Sequence, residues 1–159
     1  MKLYKTIQCE GRLDEVLSNA LLSIRIVRDE LIAWKLGMGG TALVHRKSYK
    51  PLCDAIDMLN KVETGYFIVP DYVAGINITY EEYEITDKRK KISRVKHLEN
   101  AHNMISAIDD IIPHYAAPNN QAHNQFLYNL AVISTAVRIA IDLIPWRFEK
   151  KPKALQEKK

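Results

Sequence analysis

Apolar residues recur along this chain at three- and four-residue steps in four stretches, separated by a region where they alternate. In the first stretch Leu13, Val16, Leu17, Ala20, Leu21, Ile24, Val27, Leu31 and Trp34 make one stripe. That period predicts a helix over residues 12–36. Gly37-Met38-Gly39-Gly40 follows, with Gly37 placed to end the helix in a left-handed cap. A shorter helix is expected over residues 48–63, with Ser48 as N-cap, Pro51 in the first turn and Leu52, Ala55, Ile56, Leu59 and Val62 as its stripe.

Residues 66–85 change character. Tyr66-Phe67-Ile68-Val69 is aromatic and β-branched, and Ile76, Ile78 and Tyr80 alternate with polar neighbours. Pro70-Asp71 and Ala74-Gly75 supply turn chemistry between the two runs. A two-stranded hairpin is expected there, open to a third strand from the extended arm at residues 2–8. Thr79-Tyr80-Glu81-Glu82 also fits a capping box, so a helix starting at that point is the rival reading.

A third long helix is expected over residues 87–112, on Ile92, Val95, Leu98, His102, Ile105, Ile108 and Ile112, with Pro113 ending it. The fourth runs from Asn119 or Asn120 to the residues before Pro145. It is apolar on most of its circumference, which marks a central helix or one buried against a partner. The fold class this implies is mainly α: a four-helix bundle-like domain over residues 1–148, with a hairpin at about 66–85 between helices 2 and 3. Residues 149–159 read as a charged, flexible tail.

Composition narrows the class without naming a function. At 159 residues, with six Gly and six Pro, the chain suits one folded domain. Its two cysteines, Cys9 and Cys53, have no metal-like spacing, and no apolar leader follows Met1, so a cytoplasmic, reducing setting is expected. Arg138 and Asp142 interrupt the most apolar stretch, which argues against a membrane span.

The net charge of +4 gathers in two places, the tail and a block made of Lys88, Arg89, Lys90, Lys91, Arg94 and Lys96. If residue 87 starts a helix, this block stands where the helix dipole favours acidic side chains. Such a break with a local rule points to function, here an anionic partner, most simply nucleic acid held through its phosphates. Glu81, Glu82, Glu84 and Asp87 just upstream offer partial neutralisation.

The alternative is a protein–protein interaction module or inhibitor that self-associates through the last helix, with Phe126, Ile133, Arg138 and Asp142 at the interface. A homo-oligomer is expected on that ground. The third reading is an enzyme using His97, His102, His114 and nearby carboxylates. Glu99-Asn100-Ala101-His102 has the spacing of di-iron helix motifs but lacks the second copy such sites need. The glycines at 37–40 follow a helix rather than a strand, so they suit a turn better than a phosphate loop. No catalytic residue, metal site or cofactor is assigned.

Overall fold

The computed structural model of the chain describes residues 3–38, 46–63, 69–115 and 121–144. Strand β1 (Tyr4–Arg12) runs without a loop into helix α1 (Leu13–Met38). Helix α2 (Arg46–Glu63) follows, then a single helical turn, α3 (Asp71–Ala74), and strand β2 (Asn77–Ile85). Helix α4 (Arg94–Ile111) continues into a 3-10 turn (Ile112–Tyr115), and α5 (Gln121–Leu143) is the last described element.

The predicted stripe of α1 is the core. Leu13, Val16, Leu17, Ala20, Ile24, Val27 and Leu31 are all buried, while Leu21 at the stripe's edge is half-buried. Asp14 and Glu15 stand in the first turn, where the helix dipole favours them. Gly37 does not end the helix as expected, because α1 continues to Met38. Helix α2 begins two residues before Ser48, so Pro51 stands beyond its first turn and removes one bond to the preceding carbonyls.

The sheet departs most from expectation. Among the described residues it has two strands, and β2 pairs antiparallel with β1 rather than with a neighbour inside residues 66–85. Thr6 lies opposite Tyr83, and Gln8 opposite Glu81. The stretch expected to turn between the two runs is a helical turn at Asp71–Ala74, where the N–H groups of Val73 and Ala74 both donate to Pro70 O at 3.1 Å. Residues 66–68 lie outside the described residues. The capping-box rival is overturned as well, since Thr79–Glu82 are strand. Both ends of the ribbon are clamped: Leu13 N donates to Ile76 O (2.8 Å) and Thr86 N to Leu3 O (2.9 Å).

Helix α1 packs against α2 and α4, and α5 packs against α2 and α4. Ile105, Ile108, Leu130, Val137 and Ile141 join the α1 stripe in one apolar cluster. Pro113 stands inside the 3-10 turn that follows α4. Among the described residues α5 is the one helix long and apolar enough to cross a membrane by length and composition. Its inner face, including Phe126, Leu130, Ile133 and Val137, is buried in the cluster. The expected caps Asn119 and Asn120, and the tail, lie outside the described residues.

Helix α4 also covers the outer edge of β2. Asn100, buried, accepts a hydrogen bond from Tyr83 N (2.7 Å) and donates one to Tyr83 O (3.0 Å), so one side-chain amide stands in for a missing strand. One helical turn on, Asn103 donates to Glu81 O (3.1 Å). Unpaired strand edges invite association, and two asparagines remove that one.

Candidate functional site

The basic block does not open a helix. Helix α4 starts at Arg94, after an N-cap at Ser93 whose hydroxyl accepts from Lys96 N (3.1 Å). Residues 87–90 instead form a tight turn closed by Lys90 N donating to Asp87 O (3.0 Å). Asp87 favours the turn because its short carboxylate bonds its own backbone two residues on, accepting from Arg89 N at 3.0 Å. The Arg89 guanidinium folds back on the same carboxylate (Nε 3.0 Å, Nη2 3.1 Å). That contact holds the Asp87 carboxyl below its usual range and raises Arg89.

The turn is anchored on both sides. Thr86 binds Leu3 O through its N–H and its hydroxyl, and Ser93 N donates to Tyr4 Oη at 2.9 Å. Between these anchors Lys88, Arg89, Lys90 and Lys91 are all exposed. Lys91 reaches Glu30 of α1 at 3.9 Å, whereas Lys88 and Lys90 make no ion pair with the described residues.

Arg94 and Lys96 behave differently. Both stand in the first turn of α4 against the dipole, and both are offset by contacts that the sequence does not reveal. Arg94 Nε lies 3.2 Å from Glu30, and its guanidinium lies 4.1 Å from the Trp34 ring centroid. Lys96 pairs with Glu99 (3.1 Å) and sits over Tyr83 (4.1 Å) and Tyr4 (5.7 Å). Cation–π contact and a carboxylate together outweigh an exposed-site dipole penalty of about 0.3–1 kcal/mol. These two cations, and the aromatic rings beneath them, hold α4 to α1 and to the ribbon.

The histidines do not converge. His102 shares a hydrogen bond with Ser134 of α5 at 3.1 Å and lies 3.5 Å from Ser106, which makes it an interhelical polar link. His97 is half-buried near Glu30 and Glu82. Burial depresses the proton affinity of both rings, opposed at His97 by the two carboxylates and reinforced at His102 by Arg138. His114 is exposed on the 3-10 turn. His123 is buried, stacked on Tyr72 and hydrogen-bonded to its hydroxyl. No three His, Cys, Asp or Glu side chains among the described residues are placed to share a metal ion. Cys9 Sγ donates to Glu82 (3.3 Å), and burial followed by Glu82 raises its thiol, which suppresses the reactive thiolate.

The proposed interface residues separate into two groups. Phe126 and Ile133 are each 1% exposed and belong to the core of the single chain, because the wide apolar surface of α5 turns that side inward. Arg138 and Asp142 lie on the outer face, 3.5 Å apart in one helix. The large apolar side chains α5 leaves exposed are Tyr128, Val132 and Ile139, set four and seven residues apart on one stripe. Residues 39–45, which include most of the glycine run, lie outside the described residues. No family model, no curated protein and no solved structure matches this chain.

Proposed function

We propose that this protein is a non-enzymatic binding module whose exposed turn at residues 87–91 takes an anionic partner, nucleic acid through its phosphates. Its four long helices act as a bundle that carries the turn and performs no chemistry of its own. The observation that supports this reading is the state of Lys88 and Lys90, exposed on an anchored turn without ion-pair partners among the described residues. Arg89 is engaged by Asp87, so it serves as a local charge rather than a fork for phosphate. This reading treats α5 as the core helix of a cytoplasmic protein, not as a membrane span.

Affinity for a single-stranded oligonucleotide measured by fluorescence anisotropy at rising salt tests the reading. Each phosphate neutralised on a single strand contributes a slope of about −0.7 in log affinity against log salt. Two engaged lysines give about −1.4, and all four exposed cations about −2.8. Lys88→Glu with Lys90→Glu removes most of the binding and flattens the slope. Salt-independent binding, or no binding at low salt, contradicts it.

A second reading rests on the outer stripe of α5. Tyr128, Val132 and Ile139 form an exposed apolar line flanked by Arg138 and Asp142, the pattern of a helix that pairs with a second copy. Under it the protein is an interaction module, and Val132→Lys with Ile139→Lys makes it monomeric.

A further inference from the structure

The two edges of the β1–β2 ribbon are treated differently by the fold. The β2 edge is closed by Asn100 and Asn103. For β1, the ladder decides which backbone groups are engaged. Leu3 pairs with Thr86 and Leu13 with Ile76 through backbone bonds, so odd-numbered residues of β1 direct their N–H and C=O toward β2. Even-numbered residues direct theirs away, in agreement with Tyr83, opposite Thr6, bonding outward to Asn100. Among the described residues nothing pairs with the outward backbone groups of Thr6, Gln8 and Glu10, and all three residues are exposed. Helix α4 packs along β2 and reaches β1 at Tyr4, through Lys96 and the N-cap Ser93.

We infer that the β1 edge is an interface with a second copy of this chain, joined antiparallel about Gln8 into a four-stranded sheet of order β2-β1-β1-β2. A closed dimer requires a two-fold axis, and a two-fold axis perpendicular to the sheet makes the strands antiparallel. The outward groups belong to even positions, so even residues must face even residues. Centring on Gln8 is the one register that overlaps the whole of Tyr4–Arg12. It sets Thr6 against the partner's Glu10, Tyr4 against the partner's Arg12, and Lys5 against the partner's Gly11, with no like charges opposed.

The charges at the ribbon's ends favour the same direction. The Tyr4 end carries Lys5, Lys88, Arg89, Lys90 and Lys91 against Glu84 and Asp87, and the Arg12 end carries Glu10, Asp14 and Glu15 against Arg12, so the first is net basic and the second net acidic. These ends are about 27 Å apart along the strand, so antiparallel pairing brings each basic end beside the partner's acidic end. The inference does not depend on what the basic turn binds.

Sedimentation velocity and residue-resolved amide exchange across a concentration series test it. A dimer is expected in the micromolar range, with the Thr6, Gln8 and Glu10 amides becoming protected as it forms and those of Lys5, Ile7 and Cys9 protected throughout. Thr6→Glu sets a carboxylate against the partner's Glu10 and weakens the dimer at least tenfold, while Thr6→Glu with Glu10→Lys restores it. Gln8→Pro removes an outward donor, leaves the β1–β2 ladder bonds in place, and also yields a monomer. Fast exchange at Thr6, Gln8 and Glu10 at every concentration overturns the proposal. So does a dimer that survives Thr6→Glu and is lost with Val132→Lys and Ile139→Lys.

Discussion

Asn100 is the residue on which the join between ribbon and helices depends. Its amide satisfies both backbone groups of Tyr83 in a buried setting. Asn100→Leu leaves those groups unpaired and is expected to cost about 2–4 kcal/mol in urea unfolding, clearly more than Asn103→Ala, whose single bond is exposed. A second residue-scale expectation concerns pH. His97 and His102 bind protons more weakly in the folded chain than at their ordinary value of about 6.5. Stability from this source is therefore complete above about pH 6.5 and is lost as the pH falls through the depressed folded values. The urea midpoint should drop between about pH 7.5 and about pH 5.5, and His97→Gln with His102→Gln should shrink that drop. Asp109, raised by burial and by Asp110, works in the opposite sense, favouring the folded chain as the pH falls.

At the scale of elements, the start of α4 shows what the sequence could convey and what it could not. The apolar period at residues 92–112 is genuine, but it extends two residues ahead of the helix because Ile92 is half-buried from an extended segment. Asp87 and Ser93 are both good N-caps by residue type, and the choice of Ser93 depends on Tyr4 and Leu3, which come from the other end of the chain. Ser93→Ala is expected to cost about 1 kcal/mol, whereas Lys88→Glu with Lys90→Glu should change the unfolding midpoint little, because neither residue lies within α4. A helix starting at residue 87 would instead be stabilised by those acidic replacements. The helices were readable because each carries its own period. The pairing of the ribbon was not, because the partners of β2 in β1 stand between 65 (Arg12–Asn77) and 81 (Tyr4–Ile85) residues away and the residues covering its edge are two asparagines inside a helical pattern. On α5 the pattern showed that too much surface was apolar, but not which part turned inward. Phe126 and Ile133 therefore went to the core, and Val132 and Ile139 remained outside.

At the scale of the molecule, the core is continuous from α1 to α5, with Arg28, Asn100 and His123 the polar or charged residues buried beside it among the described residues. Leu17→Ala, in the centre of the cluster, should lower stability by about 2–5 kcal/mol, and Leu21→Ala, half-buried at its edge, by distinctly less. Neither change touches residues 87–91, so both should leave anion affinity intact at temperatures where the chain stays folded. The basic turn is held at Leu3, Tyr4 and Glu30, so its position is coupled to β1 and α1 and less to α5. The most direct measurement of the central claim is an amide chemical-shift titration of the labelled protein with a short single-stranded oligonucleotide at low salt. The account predicts that the largest shifts fall on residues 88–91, that they vanish in Lys88→Glu with Lys90→Glu, and that α5 stays unmoved. Shifts confined to Tyr128, Val132 and Ile139, or none at all, would contradict it.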